Sequence, residues 1–413
     1  MSVKMQQRPR VTGGVGSHSR VHVAAVVDSA SHRLLGTRSF AVSTDGYAQM
    51  VAWFEEHGTV DADGIEGTGT YGAGLTRHLA AAGIGLREVN RPDRAARRLQ
   101  GKSDPADAEA AARAVLAGRA RALPKSRDGQ VEAIRMLRVV YTSAVRGRTE
   151  AINQFQAMVS TALEPIRDEL AGMTVTRQLH QVRTWRTRPS DDPLAHATRM
   201  VLRELAERIE QLYRQATRMD QQLSERVERA APALLDIAGI GVHTAAQLLV
   251  TVGDNPHRLV SEAAFARLCG VALVPASSGK TTRHRLDRAG DRAANHALWR
   301  IFMARMAHGH PATLTYIARR TREGMSDREI IRYLKRYVAR EVFRTIMRPP
   351  PPAPSATTIR AMRIAAGVTQ LGLAAHTGIP NTTISRVERG KLRRGELQRQ
   401  LHDAIAELLS PDG

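Results

Sequence analysis

Three carboxylates in the N-terminal third of the chain have types and spacing that could support chemistry. Glu66 stands among glycines at the end of a predicted strand, and Asp104 and Asp107 lie three residues apart at a predicted helix start. Residues three apart share one helix face. Oxygen ligands suit Mg²⁺, which can bridge to a phosphate and stabilise charge during phosphoryl transfer. Acidic residues at helix starts are usually caps, so the spacing by itself is a weak indication of a metal site.

A second candidate group joins serines and a glycine to a dense basic run. It reads Pro275-Ala276-Ser277-Ser278-Gly279-Lys280-Thr281-Thr282-Arg283-His284-Arg285-Leu286-Asp287-Arg288. A serine hydroxyl is a potential nucleophile, and arginines can clamp the phosphate that it attacks. A solvated Ser/Gly turn is the alternative.

The charge of the chain indicates the class of partner. Lysine and arginine total 61 against 40 acidic residues, which gives a net charge of +21 and a sequence pI near 11.2. A field of that sign attracts polyphosphate chains, so a nucleic-acid partner is favoured. No run of about 18 apolar residues exists, which predicts no membrane partner and a cytoplasmic protein. The single cysteine, Cys269, lies in an apolar run and is predicted to be buried and inert.

The carboxylates need a sheet and a helix to position them. Two segments, 22–27 and 34–42, are predicted to be strands that a polar turn joins as a hairpin. Further strands are predicted to end at Glu66 and to cover 86–90. Helical spacing covers 47–54, 75–82 and 104–123. Hairpin strands followed by alternating helices and strands predict a mixed α/β sheet.

The middle of the chain is predicted to be almost wholly helical, over 131–229. Its clearest pattern is an a/d seam formed by Leu202, Leu205, Ile209, Leu212, Ala216, Met219 and Leu223. That seam fits an intersubunit or interdomain coiled coil, or a helix packed on its neighbour within one subunit. Residues 234–246 indicate a helix, a glycine turn and a helix. A helix over 330–346 carries a basic face, either solvated or directed at phosphates. The proline-rich segment 349–354 predicts a spacer.

The tail after that spacer predicts a helix-turn-helix. Thr369 is a good N-cap, Gly378 a good helix end, and a second, polar helix begins near Pro380. The wording of 368–390 resembles the phage-repressor (Cro/C1-like) family. The resemblance implies that Gln370 contacts phosphate or braces the second helix. It also implies that the opening of that helix reads base edges, through Asn381, Thr382, Thr383, Ser385 and Arg386. A helical bundle for protein docking is the alternative.

Several motifs in the larger part of the chain, about 12–347, together resemble one family. They are Gly64-Ile65-Glu66-Gly67-Thr68-Gly69-Thr70-Tyr71-Gly72, Glu88-Val89-Asn90-Arg91-Pro92, Gly101-Lys102-Ser103-Asp104-Pro105-Ala106-Asp107-Ala108, Gly253-Asp254-Asn255-Pro256 and the 275–288 run. The family is that of the DEDD-type insertion-sequence transposases related to the Piv invertase. It has a ribonuclease-H-like (RuvC-like) domain, a helical connector and a transposase domain that supplies a serine.

The resemblance implies roles for the candidate residues. Glu66, Asp104 and Asp107 would bind Mg²⁺, and Ser278, with Ser277 as the fallback, would attack a DNA phosphate to form a phosphoserine link. The basic residues Arg283, Arg285 and Arg288 beside that serine would contact DNA. The family acts as oligomers, a dimer or tetramer for this chain, on the DNA of element ends and targets. A structured RNA encoded by the element guides it.

The chain departs from the family pattern at one position. The family places an aspartate on the first strand in a Gly-Val-Asp-x-His context, where this chain has Gly14-Val15-Gly16-Ser17-His18. Asp28, at the far end of the next strand, is a poor substitute, and the His18 imidazole is softer than Mg²⁺ prefers. Either catalysis is impaired, or three carboxylates and water suffice for the metal.

These observations predict an α/β domain followed by all-α domains. The expected divisions are a RuvC-like domain at 12–125, a helical coiled-coil connector at 126–232, a transposase domain at 233–348, the proline linker at 349–354 and a helix-turn-helix at 355–413. The leading hypothesis is a Mg²⁺-dependent transposase or site-specific recombinase with a serine nucleophile. The alternatives are a catalytically impaired relative acting as a DNA-binding protein or repressor, and a Holliday-junction nuclease using metal and water.

Overall fold

The computed structural model describes residues 8–89, 103–186, 192–275, 284–286, 290–351, 353–392 and 395–410. Two compact units make up the chain. One comprises Met1–Glu132 with Thr251–Phe265, and the other comprises Ala133–Val250 with Ala266–Gly413. Within the described ranges no helix is both long enough and apolar enough to cross a membrane.

A five-stranded mixed sheet forms the centre of the first unit. Its strands are β1 (Arg10–Ser17), β2 (Val21–Asp28), β3 (Leu34–Ala41), β4 (Thr59–Glu66) and β5 (Leu86–Val89), in the order β3-β2-β1-β4-β5. The first three pair antiparallel as successive hairpins, whereas β4 is parallel to β1, and β5 is parallel to β4. This sheet confirms the predicted mixed α/β architecture and agrees with the ribonuclease-H-like fold that the resemblance implies.

Three helices cover the sheet: α1 (Thr44–His57), α2 (Ala73–Ala81) and α3 (Asp104–Leu116). On one face, Val15 and Ile65 pack with Phe54 and Leu75 in a single apolar core. The opposite face carries α3. That helix is shorter than the predicted 104–123 because it ends at Leu116, and Gly118 then takes a φ of +63° that a continuing helix does not adopt.

Helices of very different lengths follow along the chain. They are α4 (Gln130–Ser160), α5 (Glu164–Leu170), α6 (Val175–Thr184), α7 (Pro193–Ala230), α8 (Pro232–Leu235), α9 (Val242–Val252), α10 (Glu262–Leu268), α11 (Arg292–Ala307), α12 (Pro311–Arg322) and α13 (Asp327–Met347). Two short strands, β6 (Leu273–Pro275) and β7 (His284–Leu286), pair antiparallel between α10 and α11.

The predicted a/d seam lies on α7. Its members Leu202 and Ile209 are buried in a cluster that also contains Phe155 from α4, Leu170 from α5 and Val182 from α6. This part of the seam therefore packs on neighbouring helices of the same chain, which is the within-subunit alternative. Cys269 is buried, as predicted, and burial raises the pKa of its thiol well above the usual range.

The C-terminal residues form four short helices: α14 (Ala356–Ala365), α15 (Gln370–Thr377), α16 (Asn381–Glu388) and α17 (Gly395–Leu409). Thr369 caps α15 by accepting from the Gly372 N–H, and Gly378 ends it with a φ of +69°. Both predicted helix boundaries are thus confirmed, and α16 begins directly after Pro380. The helices enclose a separate apolar core that contains Ile359, Ile384 and Ile405.

Candidate active site and nucleic-acid interface

The face of the sheet that carries α3 is defined by two glycines. A Cβ on Gly14 would lie 2.2 Å from the Ala108 carbonyl oxygen, and one on Gly64 would lie 2.8 Å from that of Ala111. Any side chain at either position would overlap the helix backbone. Glycine at both strands therefore lets α3 lie directly against β1 and β4.

Gly16 and Glu66 follow those two glycines by two residues, so each points to the same face as its glycine. The strands are in register there, with Val15 opposite Ile65. The Ser17 hydroxyl donates to the Glu66 carbonyl at 2.7 Å and ties the two strand ends together. Glu66 is thereby placed on the α3 side of the sheet, beside Gly16.

Asp104 and Asp107 belong to the first turn of α3, next to these strand ends. The Ser103 hydroxyl caps the helix by accepting from the Ala106 N–H. Asp104 is exposed, and one of its carboxylate oxygens lies 3.4 Å from His18 Nε2. Within the described ranges, no group of three or more His, Cys, Asp and Glu side chains is close enough to hold a metal ion.

Gly16 is buried at this site, but a Cβ would fit there without overlap. A Cβ there would lie 3.8 Å from the Asp104 carbonyl oxygen, 3.8 Å from His18 Nε2 and 4.0 Å from the Val23 carbonyl oxygen, all ordinary contact distances. The position therefore accommodates a side chain directed at Asp104. In contrast to Gly14 and Gly64, the glycine at position 16 is not required by packing.

His18 and His22 form a small pair at the end of β1. The backbone N–H of His18 donates to His22 Nδ1 at 3.3 Å, and the His22 ring stacks on Tyr47 with centroids 5.7 Å apart. Burial lowers the pKa of His22, and neighbouring His18 lowers it further. His22 is thus neutral near neutral pH, which agrees with its role as a hydrogen-bond acceptor.

Asp28 does not contribute to this group. It pairs with Val11, at the opposite end of β1 from Ser17. Its Oδ1 accepts from the Ser31 N–H and hydroxyl and from the Ala30 N–H. Those hydrogen bonds lower its pKa and close the turn between β2 and β3. Asp28 is a turn residue, as its position in the sequence predicts.

Asp63, which sequence reasoning missed, is the most unusual carboxylate of the sheet. It is fully buried on the face opposite Glu66, and neither of its oxygens has a hydrogen-bond partner among the described residues. Burial raises its pKa to about 8, and the nearby Gly64 N–H offsets only part of that effect. A Cβ on Gly13 would lie 2.8 Å from its Oδ1, so the absent side chain of Gly13 leaves the carboxyl its space. The available sequence signal was the alternation of side chains along the strand, which places Asp63, three residues before Glu66, on the other face of the sheet.

Two motifs that carry the family resemblance have structural roles. The buried Thr68 donates its hydroxyl to Glu88 Oε1 at 2.8 Å, which fixes the loop after β4 to β5. Asp254 accepts from the Val131 and Glu132 N–H groups and so caps the start of α4. These residues therefore hold the sheet domain together rather than lining its carboxylate face.

The predicted nucleophile Ser278, its fallback Ser277, and the predicted DNA contacts Arg283 and Arg288 lie outside the described residues. Arg285 belongs to β7, of which only the backbone is described.

The residues that flank this segment are tightly anchored. A Cβ on Gly290 would lie 2.2 Å from the Gly270 nitrogen. Asn295 donates to the Gly270 carbonyl at 2.8 Å and accepts from the buried Lys335 ammonium at 2.9 Å. The base of the serine segment is thus fixed to α11 and α13.

The residues predicted to contact base edges lie on α16 of the helix-turn-helix. Asn381, Thr382 and Arg386 are exposed, while Thr383 and Ser385 are half-buried. Ile384 and Val387, on the other side of the helix, are fully buried in the core of the domain. The five side chains therefore lie along a helix whose apolar face is anchored.

Gln370 acts as a brace, one of its two expected roles. Its amide donates to Glu388 at 2.6 Å, and Arg363 forms two further hydrogen bonds to the same carboxylate. Burial alone would raise the pKa of Glu388, but these bonds lower it below its usual range. The network fixes α16 against α14 and α15.

The last helix of this domain is also attached to the transposase region. Asp236, between α8 and α9, accepts from the Gly395 N–H at 2.9 Å and lies 3.5 Å from Arg399. A Cβ on Gly395 would lie 1.8 Å from an Asp236 carboxylate oxygen, so this contact requires glycine.

Comparisons with known proteins agree with this arrangement. Residues 14–163 match a DEDD-type family of the IS110 group described as Transposase, and residues 231–318 match the Transposase IS116/IS110/IS902 family. Residues 359–394 match the family described as Helix-turn-helix. The Insertion element IS110 uncharacterized 43.6 kDa protein of Streptomyces coelicolor is 30% identical over 140 residues, which is 33% of this chain and 34% of that protein. The chain thus spans about a third of the length of that relative. The two transposase matches occur in order, so the chain carries two segments similar to IS110-group transposases, followed by a segment similar to helix-turn-helix domains.

Proposed function

We propose that this protein is a transposase or site-specific recombinase that cuts and rejoins the DNA of its own insertion sequence. The observation that supports the proposal is that Glu66 and the first turn of α3, with Asp104 and Asp107, lie on the same face of the sheet as Gly16. The glycines that seat α3 on the sheet explain why the start of this helix lies on the same face as Glu66. The family matches and the net charge of +21 support a DNA substrate.

The chemistry of the donors fits Mg²⁺. Glu66, Asp104 and Asp107 offer only oxygen atoms, which Mg²⁺ prefers, and water would complete the ligand set. The chemistry that Mg²⁺ supplies in such a site is neutralisation of charge on a phosphate. Beside these residues, His18 Nε2 lies 3.4 Å from an Asp104 carboxylate oxygen.

In the proposed reaction, the Ser278 hydroxyl attacks a DNA phosphorus. A serine O–P bond forms, a DNA P–O bond breaks, and the released DNA oxygen takes up a proton as the serine proton is lost to a base. Attack by a DNA hydroxyl on the phosphoserine then reverses these bonds and joins the new strand. Arg283, Arg285 and Arg288 would hold the phosphate during both steps.

The partners of this reaction are also part of the proposal. The net charge of +21 is larger than contact with one short duplex needs. This charge supports an additional guide RNA encoded by the element. The helix-turn-helix would recognise duplex DNA at the element ends through Asn381, Thr382 and Arg386. Exposed apolar side chains on α4, namely Met136, Val139 and Val140, support a homo-oligomer of two or four copies. No feature points to a membrane, and the site of action would be the cytoplasm.

The test is formation of a covalent protein–DNA adduct on element ends with guide RNA and Mg²⁺. The native protein should form an adduct that Ser278→Ala abolishes and that Ser277→Ala retains. Gly16→Asp should increase its yield, because it restores the carboxylate of the family pattern at a position where a Cβ fits at ordinary contact distances. Gly16→Asn, which has the same size without the charge, is the matched control and should not. An adduct that survives Ser278→Ala would refute the serine assignment.

A second candidate function is that of a catalytically impaired transposase acting as a DNA-binding protein or repressor. It is favoured by the glycine at position 16 together with the intact, internally braced helix-turn-helix. It predicts sequence-specific duplex binding that Arg386→Ala weakens, and an adduct that appears only after Gly16→Asp. A junction nuclease would instead yield cleaved DNA with no adduct in any variant.

A further inference from the structure

Helices α12 and α13 carry a continuous layer of tyrosine rings and guanidinium groups. The guanidinium carbons of Arg319 and Arg320 lie 5.3 and 5.4 Å from the Tyr316 ring centroid. Arg320 also lies 5.7 Å from the ring of Tyr333, on the facing helix. The Tyr316 ring meets Tyr337 edge-on, with centroids 5.4 Å apart. Arginines and tyrosines of the two helices therefore alternate in space.

Tyr337 and Arg340 extend this layer along α13. The Arg340 guanidinium lies 5.7 Å from the Tyr337 centroid, and Tyr337 keeps 43% of its surface exposed. Spacings of three and four residues place Tyr333, Tyr337 and Arg340 on one side of the helix. We call the six residues Tyr316, Arg319, Arg320, Tyr333, Tyr337 and Arg340 the Tyr–Arg surface.

The surroundings of the Tyr–Arg surface are strongly positive. The two helices contain nine basic residues and three acidic ones. Of the nearby carboxylates, Glu341 pairs with Arg305, and Glu323 pairs with Arg319 and Arg320. The opposite side of α13 faces the core through Ile330 and Leu334. The charge is thus concentrated on the solvent side, where it would attract a phosphate backbone.

From this arrangement we infer that the Tyr–Arg surface binds unpaired nucleotides of a single-stranded RNA or DNA. Exposed aromatic rings and guanidinium planes stack on base faces, and basic side chains follow the backbone. Bases in a duplex are already stacked on one another and offer no free face. Packing of α12 on α13 explains the buried edges of these rings but not the exposed face of Tyr337. The inference does not depend on recombination, because binding is measurable without it.

The test measures affinity of the full chain for a labelled oligouridine, an oligothymidine and a duplex DNA. We expect Tyr337→Ala to weaken single-strand binding about tenfold, the loss of one base stack, and to change duplex affinity by less than about twofold. Tyr337→Phe keeps the ring and should bind like the native protein. Arg340→Lys keeps the charge but loses the planar group, so it should weaken single-strand binding as well. Comparison of the two oligonucleotides distinguishes RNA from DNA as the natural strand.

Tyr213 provides a matched control. It is 51% exposed and lies under the Arg148 guanidinium at 5.5 Å, so it has the same pair chemistry without a neighbouring tyrosine–arginine layer. Tyr213→Ala should leave single-strand affinity unchanged. The inference is overturned if Tyr337→Ala binds both oligonucleotides like the native chain, if it loses duplex affinity equally, or if Tyr213→Ala has the same effect. Loss of adduct formation with intact oligonucleotide binding would instead count against the proposed recombination alone.

Discussion

The buried Asp63 predicts an unusual pH dependence for the stability of the sheet. Its carboxyl has a pKa of about 8 in the folded chain against an ordinary value of 3.8. In the folded state it stays protonated across this range, whereas in the unfolded state it ionises near the ordinary value. Stability is therefore fully present below about pH 4 and is lost as the pH rises to about 8.

The magnitude follows from the difference in pKa. One pKa unit corresponds to about 1.4 kcal/mol, so a difference of about four units lowers the free energy of unfolding by about 6 kcal/mol across the range. That is a large share of the stability of an ordinary domain. Asp63→Asn removes the ionisable group at nearly constant shape. The space that Gly13 leaves for the side chain at position 63 is unchanged in this variant. The variant should match the native chain near pH 4 and be more stable near pH 8.

The assay is amide hydrogen exchange of β4, which reports local opening free energies in a chain with several domains. Exchange is corrected for its intrinsic pH dependence and compared between the native chain and Asp63→Asn. Asp61→Asn is the control, since Asp61 lies two residues away, is partly exposed and pairs with Arg10. It should retain the native slope. A native slope that is flat or rises with pH, or a slope that persists in Asp63→Asn, would refute the reasoning.

Three further predictions concern glycines and a buried ion pair. Gly14→Ala should destabilise the sheet by about 1–3 kcal/mol or more, because its Cβ would overlap the backbone of α3. Gly16→Ala should be tolerated, because its Cβ would meet only ordinary contacts. Protection of the β1 amides against hydrogen exchange distinguishes the two variants. Glu388→Ala should lower the free energy of unfolding of the helix-turn-helix by about 3–5 kcal/mol, because it leaves the largely buried Arg363 guanidinium without its carboxylate. Denaturant unfolding of that domain measures the change, and a loss under about 1 kcal/mol would contradict the bracing role. The pKa of Glu388 is lowered, so its contribution should vanish as the pH falls below the glutamate range. Gly395→Ala should release α17 from Asp236 and raise proteolytic cleavage before that helix, and unchanged cleavage would contradict the contact.

Local sequence signals predicted the elements of this protein well. The polar turn between β2 and β3, the Thr369 cap and Gly378 in the left-handed region act within a few residues, so they can be recognised without knowing the fold. The resemblance likewise predicted the sheet domain and the tail. The helix over 104–123 was too long, because the apolar pattern continued past a glycine that ends the helix.

Only the tertiary structure decided how distant residues meet. The parallel register of β1 and β4 and the close seating of α3 bring Gly16 beside Glu66 and Asp104, and these contacts depend on chain segments about fifty residues apart. The same holds for Asp63, whose burial follows from its face of the sheet rather than from its neighbours in sequence. The Tyr–Arg surface forms because α12 packs against α13 and brings Tyr316 of one helix to Tyr337 of the other. The spacing of residues within either helix alone does not predict that contact. Sequence thus determined which residue types were available, while packing determined which of them face one another, since burial and strand register are properties of the assembled chain.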